Sequence, residues 1–421
     1  MTHTDESPSF LRQRRTMLAA ACIGMAASYS PVAISSFGFF IVPLSKAFGW
    51  GRGDISLAVT ILSYTVALLS PFVGGLIDRL GVRRVLLPAI LVFGLTFLGL
   101  AAMSGQLWLF FLLYFLLALS GAGTTPASYS QLIVRWYDDK RGMALGIGLS
   151  GVGLGLIVMP PAIQQLIEHF GWRGGYLGLS AVVLLIALPV CLVGLRERSG
   201  APAAEAAERQ APAPGKPGLT LGVAARTRSF WLMGFSFLLL GVFTTGFASH
   251  LVPMLSDRGI SGGMIGVAVS IKGATIIAGR LATGWLFDRL PPQPVVALSL
   301  IGPVLCLVML FLGVTGPWVF VAVALAGFGI GAELDFMSYL TSRYFGVLHY
   351  ARIYGVLYAM LIVGSGTGPL IMGYCQQLTG DYQVGLVVLT IVTIVAIIPF
   401  MLLGKYPIWS AEPDAADFRS H

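Results

Sequence analysis

Apolar residues run along this chain in blocks too long for the elements of an ordinary soluble core. Twelve can be read, at 17–43, 55–77, 85–104, 107–133, 142–167, 174–195, 229–254, 262–287, 294–313, 317–343, 353–377 and 383–404. About 20 residues of helix cross the hydrocarbon core of a bilayer. Lipid cannot satisfy backbone polar groups, so the pattern predicts twelve transmembrane helices. The polar stretches between blocks are short, with one exception. Residues 196–228 include "RERSGAPAAEAAERQAPAPGKPG", Ala/Pro/Gly-rich and charged, which reads as a flexible linker. Its last part, "LTLGVAARTRS", has the composition of a short surface helix. The expected organisation is a tail at 1–16, six helices at 17–195, the linker at 196–228, six helices at 229–404 and a tail at 405–421.

The two sets of six are related. "GGLIDRLGVRR" (74–84) aligns with "GWLFDRLPPQP" (284–294), "GAGTTPASY" (121–129) with "GAELDFMSY" (331–339), and "GWRGGYLGL" (171–179) with "DYQVGLVVL" (381–389). All three pairs share an offset of 210 residues, which points to an internal duplication.

Composition and charge fix the surroundings. Of 421 residues 56% are hydrophobic and 10% charged, against about 25% charged in soluble domains, so the chain cannot cover a water-facing surface. Twenty of the 26 Lys and Arg lie in alternate loops and both tails, four in the opposite loops, and two inside a span. The positive-inside rule then puts both termini in the cytoplasm, the inner membrane of a bacterium being the expected location. The net charge of +8 is absorbed by topology and anionic lipid and gives no reason to invoke nucleic acid. The first apolar run has no small-residue cleavage site, so no removable signal peptide is expected. Cys22, Cys191, Cys306 and Cys375 all fall in spans without metal spacing, and read as packing residues. Neither metal nor cofactor is expected. No phosphate loop or nucleophile triad suggests an enzyme.

Residues 74–84 carry Gly74, Leu76, Asp78, Arg79, Gly81, Arg83 and Arg84 between the second and third spans. This G-x-L-x-D-R-x-G-x-R pattern resembles the signature of the major facilitator superfamily, whose members are built from parallel six-helix repeats with the substrate site between them near the midplane. The implied fold is all-α, two pseudo-symmetric six-helix bundles. The implied role of the motif, echoed at Asp288 and Arg289, is to hold the cytoplasmic side closed in the outward-open state.

A narrower resemblance covers nearly the whole chain. "GFFIVPLSKAFGWGRGDIS" (38–56), "RWYDDKRGMALGIGLSGVGLG" (135–155), "RTRSFW" (226–231) and "HLVPMLSDRGIS" (250–261) are similar to the monocarboxylate transporter and oxalate:formate antiporter group. Members move small organic anions, with a proton or in exchange, and carry an arginine in the eighth helix that binds the carboxylate; Arg280 matches it. The chain departs from the group in three places. Ile276 stands where many monocarboxylate transporters have an Asp, Val32 rather than Lys follows Pro31, and the eleventh span lacks the lysine of oxalate exchangers. The fifth span also lacks the Gly-x-x-x-Gly-Pro of drug antiporters. Gly364-x-x-x-Gly368-Pro369 in the eleventh span reads as close packing and a bend.

Four ionisable residues lie deep in the spans: Lys272 and Arg280 in the eighth, Glu333 and Asp335 in the tenth. A charge at the bilayer centre costs at least about 2.5 kcal/mol, so these should face protein or water. Lys272 and Arg280 are about 12 Å apart along the axis and about 80° apart around it, and can border one cavity. Glu333 and Asp335 are about 200° apart. Asp335 shares a polar stripe with Ser338, Tyr339 and Ser342; Glu333 shares an apolar one with Ala326, Gly329, Met337 and Leu340. Asp335 is therefore expected at the cavity, able to pair with Arg280, and Glu333 buried or paired with Lys272. Either carboxyl could carry a coupling proton. Tyr29, Tyr64, Tyr129 and Gln131 are further candidate substrate contacts, as is Tyr339. His250, ending the seventh span, could sense pH or serve as a cap or outer-gate contact. Trp50, Trp108 and Trp172 read as interface anchors.

The leading reading is a secondary transporter of a small mono- or dicarboxylate working by alternating access with proton symport, as a monomer. A carboxylate exchanger and an efflux pump for drug-like compounds are the alternatives.

Overall fold

The computed structural model describes residues 8–137, 141–196, 218–287, 289–346 and 349–404. Its helices are α1 (Pro8–Ala26), α2 (Ser35–Phe48), α3 (Arg52–Leu80), α4 (Val82–Ala102), α5 (Leu107–Gly121), α6 (Pro126–Trp136), α7 (Arg141–Ala181), α8 (Leu188–Gly194), α9 (Leu221–Ala224), α10 (Arg228–Asp257), α11 (Gly262–Phe287), α12 (Pro292–Phe311), α13 (Pro317–Phe345), α14 (Tyr350–Thr379) and α15 (Gln383–Met401). Among the described residues, eleven helical runs are long and apolar enough to cross a membrane. One of them, Gly146–Gly194, is 49 residues long, over twice what a bilayer needs. It breaks at Gly171, where φ is +69°, a backbone state open mainly to glycine. Divided there, the runs make the twelve spans of the sequence pattern.

Contacts group the chain into two compact units, Met1–Ala201 with Leu251–Ser270, and Pro202–His250 with Ile271–His421. The break falls inside the expected linker, whose residues 197–217 lie outside those described, as do 1–7 and 405–421 of the tails. Leu251–Ser270, counted by sequence with the C-terminal six helices, groups with the first unit instead.

In the first unit the opening span is not one continuous α-helix. Pro31 has no N–H to give and its ring crowds the carbonyl four residues back. α1 ends at Ala26, a π-helical turn at Ser30–Ile34 follows, and α2 resumes from Ser35. α7 lies directly on this span: a Cβ on Gly151 would strike the Cys22 carbonyl, and one on Gly155 the Ala26 carbonyl. Small residues at such crossings let backbones meet and maximise dispersion contact in lipid. At the start of α3, Arg52 makes a two-pronged ion pair with Asp257 at the end of α10, with Nη2 to Oδ1 at 2.7 Å. Its partial exposure limits its value. A double-mutant cycle of Arg52→Ala and Asp257→Asn on thermal melts is expected to give a coupling of about 1 kcal/mol, shrinking with added salt.

In the second unit the short helix predicted after the linker is α9. Thr220 caps it by accepting from the Val223 N–H, and Leu219 N–H donates to the Phe345 carbonyl at 2.9 Å. The core is aromatic and aliphatic, including Phe230, Phe237, Phe336, Phe345 and Phe400. Two backbone-to-backbone crossings organise it. α10 and α14 meet through Gly241, Gly246, Gly364 and Gly368, whose Cβ positions fall on Leu361, Gly368, Leu238 and Val242 backbone atoms. α11 and α13 meet through Gly279, Gly327 and Gly331, set against Phe328, Lys272 and Ile276. The Gly364–Gly368 pair thus does pack closely. His250 sits at this crossing, buried, with Nδ1 3.0 Å from the Tyr382 hydroxyl and Nε2 3.1 Å from the Pro369 carbonyl.

Candidate functional site

The four deep charges fall on α11 and α13, two helices locked together by glycine. Glycine at 327 and 331 lets the α13 backbone touch that of α11 at Lys272 and Ile276, which fixes how far the charged side chains of one helix stand from those of the other. Lys272 is 6% exposed. Arg280, two turns further along, is exposed. Glu333 is 5% exposed, and its Oε2 accepts from the Thr244 hydroxyl of α10 at 2.8 Å. Asp335 is half-buried, with Arg280 acting on it electrostatically.

Among the described residues neither carboxylate forms an ion pair with Lys272 or Arg280. Glu333 is anchored by Thr244, not by Lys272, because α10 and not α11 presents the hydroxyl to it. Glu333 Oε1 and Asp335 Oδ2 are buried without a hydrogen-bond partner among the described residues. Each is an open acceptor that a proton or a ligand donor would satisfy. Arg280, exposed and without a carboxylate within bonding distance among the described residues, presents a fork of N–H donors of the shape that takes a carboxylate by two parallel bonds.

Along the Asp335 side runs a feature the sequence reading passed over. Tyr350, Tyr354 and Tyr358 follow one another at i, i+4 and i+8 on α14, so their rings share one face. They stack in sequence, with centroids 5.6 Å and 6.1 Å apart. Ser338 of α13 lies near both Tyr350 and Tyr354. Asp335 acts electrostatically on Tyr354, and Glu333 on Tyr358, which is 40% exposed. The spacing of the three tyrosines was visible in the sequence. Thr244, in "FTTGF", carried no signal of its own.

The other candidates divide. Tyr64 is 39% exposed on α3. Tyr29 lies in the break before the π turn, its ring against Gly121. Gln131 of α6 is half-buried, with Oε1 buried and unpartnered among the described residues. Tyr129 is 1% exposed, and its ring fills the space left by Gly24. Tyr339 also packs, stacking on Phe287 at 4.3 Å and 3° with its hydroxyl toward the Phe287 carbonyl. Both stay candidate substrate contacts, their rings packed against helix neighbours in this conformation.

Of the motif, Gly81 has φ of +91° and joins α3 to α4 in a turn that only glycine takes easily. Gly74 faces open space. Arg83 donates to the Leu192 carbonyl at 2.8 Å, and Arg79 and Arg84 are exposed. Arg289 lies over the Trp285 ring at 4.0 Å. The side chain of Asp78, and Asp288 entirely, are outside the described residues.

A family model described as Major Facilitator Superfamily matches residues 16–347. The chain belongs to the major facilitator superfamily. It is a multi-pass integral membrane protein and a transporter; proteins of this superfamily are not enzymes. It is 30% identical over 376 residues to monocarboxylate transporter 13 of Bos taurus, covering 84% of this chain and 81% of that one. It is also 30% identical over 272 residues to the MFS-type transporter YcxA of Bacillus subtilis, where the match spans only 62% of each chain. Among solved structures, a bacterial homologue of the human lysosomal transporter Spinster superposes with a TM-score of 0.70 at 14% identity, covering 94% of this chain and 97% of that one. That likeness concerns the fold. The similarity to monocarboxylate transporters joins this major facilitator chain to the group that the sequence resemblance picked out.

Proposed function

We propose that this major facilitator transporter moves a small organic anion, a mono- or dicarboxylate, by alternating access with proton symport across the inner membrane of a bacterium, both termini facing the cytoplasm. The observation that carries the reading is Arg280: an exposed guanidinium deep in a span, with no ion-pair partner among the described residues, in a chain similar to monocarboxylate transporters. A cation left open at that depth is best accounted for by an anion that comes and goes. The carboxylate would take both prongs of the guanidinium. Lys272 adds a second positive charge on the same helix, and Gln131, Tyr29 and Tyr64 are proposed as lesser contacts.

The proton is proposed to reside on Glu333 or Asp335, each with an open oxygen. Carrying one proton with each monoanion makes the step electroneutral. It removes about 2.3 kcal/mol per 100 mV that an inside-negative membrane would otherwise oppose to anion entry. Ile276 stands where many monocarboxylate transporters have an Asp on the eighth helix, so the tenth helix is the natural source of the coupling carboxyl here. The signature residues Gly74, Asp78, Arg79, Gly81, Arg83, Arg84, Asp288 and Arg289 are proposed to serve the conformational cycle rather than substrate choice.

The test is uptake of labelled lactate, oxalate, succinate and benzoate into proteoliposomes, with protein-free liposomes as baseline and with and without an imposed pH gradient. At least one acid should be carried, faster with the outside acid. If none is carried, and Arg280→Ala leaves transport of an unrelated compound intact, the anion reading is wrong. A companion variant addresses the proton. One pH unit supports about tenfold accumulation in one-to-one symport. Glu333→Gln, which keeps the Thr244 bond but cannot exchange a proton, is expected to lose that accumulation while still exchanging acid for acid.

A further inference from the structure

α10 and α11 each belong partly to both units. The chain leaves the second unit after His250, joins the first at Leu251 and returns to the second at Ile271. Leu251–Ser270 is thus a hairpin made of the end of α10, a turn and the start of α11. The distribution of positive charge puts it on the outer side.

The hairpin is fastened to the rest of the first unit along its length. Arg52 and Asp257 form their two-pronged ion pair with 14% and 35% of the side chains exposed. Ser270 Oγ donates to the Ile157 carbonyl at 2.8 Å. A Cβ on Gly266 would lie 3.5 Å from that of Pro161. Gly262 abuts Gln164 and Glu168, which bond each other at 2.8 Å. Gly262, Gly266 and Ser270 share one face of α11, and Ile157, Pro161, Gln164 and Glu168 one face of α7. The pairs run in opposite order, so the two helices lie antiparallel here with small residues at the contact. The Glu168 carboxylate also stands at the first turn of α11, where the helix dipole favours it.

The base of the hairpin is built differently. His250, the last residue of α10 in the second unit, is buried and held by the Tyr382 hydroxyl and the Pro369 carbonyl. Three residues on, Pro253 lies inside α10 and has no N–H for the Ser249 carbonyl. A helix held on one side of a missing ladder bond bends there first. The fastenings beyond it are of kinds that water can replace: a part-exposed ion pair, one hydroxyl bond, and glycine contacts without interlocked side chains. We infer that Leu251–Ser270 is a strap that closes the outer side, and that it parts from α3 and α7 once in every transport cycle. This rests on the alternating-access reading above. Arg52, Asp257, Glu168 and Ser270 are its positioning residues, and the bend falls between His250 and Pro253.

A reversible lock tests the strap. The Cβ spacing at 161 and 266 is one a disulfide spans. The full chain carrying both Pro161→Cys and Gly266→Cys is placed in proteoliposomes and offered whichever of lactate, oxalate, succinate and benzoate the wild type carries. Reduced, it should take up acid. Oxidised, it should lose uptake in proportion to the cross-linked fraction, and regain it on reduction, while each single variant ignores the oxidant. Uptake that persists through complete cross-linking would overturn the strap. Should the pair fail to fold or to cross-link, labelling decides. Ser270→Cys, a near-isosteric change, is treated in nanodiscs with a water-soluble maleimide, and the site is assigned by peptide mass spectrometry. Adding Arg52→Ala should raise its labelling rate about fivefold, the upper range for loss of an exposed ion pair. Equal rates with and without Arg52→Ala would overturn the strap. Labelling needs no substrate, so the two claims separate. If none of the four acids is carried, the anion reading falls and labelling still decides the strap. If acid is carried by a locked protein, the strap alone falls.

Discussion

Arg280→Ala is expected to lower uptake of the carried carboxylate about 100-fold, the loss of two charge-assisted hydrogen bonds together worth about 3 kcal/mol. Arg280 is exposed at its position in α11 and without an ion pair among the described residues, so its removal takes from Asp335 an electrostatic influence but no direct bond, and should not unfold the protein. This separates it from an ordinary buried charge, where deleting one partner leaves the other uncompensated. Arg280→Lys keeps the charge but replaces a planar fork with a point donor. It should retain measurable uptake, about tenfold below wild type, with the loss mainly in apparent affinity. The check is initial uptake rate against acid concentration for the three proteins, normalised to folded protein by gel filtration. Loss of the gel-filtration peak in Arg280→Ala would mean that the residue holds the fold together instead.

The second large effect concerns the crossing that sets Arg280 relative to Asp335. A Cβ at Gly331 would lie 2.8 Å from the Ile276 carbonyl carbon, and the obstacle is backbone, which cannot rotate away. Gly331→Val adds two further carbons in the same place. The helices must separate, with a penalty of about 3 kcal/mol or more and a lowered melting temperature in detergent. Gly284→Val is the control. It changes the same residue type on α11 to the same side chain, but no heavy atom lies within 4 Å of its Cβ. It should melt close to wild type, apart from a small propensity term of under about 1 kcal/mol. Equal destabilisation by both would show that the crossing is not what positions these helices.

The span pattern was legible because hydropathy over 20 residues is a strong signal, and the repeat because three motifs share one offset. The interruption of the first span at Pro31 had a visible cause in the proline, but its form, a π turn with Pro31 set against Gly155 of α7, did not. The site was only partly legible. Charge in an apolar helix draws attention, so Lys272, Arg280, Glu333 and Asp335 stood out. Which partner each takes is a tertiary matter, and the Thr244 hydroxyl came from a helix the pattern could not orient. Tyrosine is ambiguous in a membrane chain, since it serves interfaces, cores and polar paths alike. Tyr129 and Tyr339 thus read as substrate contacts in the sequence, while in the structure their rings pack against neighbouring helices. The Tyr350, Tyr354 and Tyr358 stack went unread because its partners lie on α13. Grouping of Leu251–Ser270 with the first unit was likewise invisible, since chain order alone assigns those residues to the second.

The most direct test of the account records labelled acid and internal pH together in proteoliposomes, offering lactate, oxalate, succinate and benzoate in turn with no acid inside. Wild type should carry at least one of them with a proton entering for each monoanion, and Arg280→Ala should abolish acid and proton entry together. Acid entry without a pH change would contradict the account, and entry seen only in a second run with a carboxylate loaded inside would make the protein an exchanger.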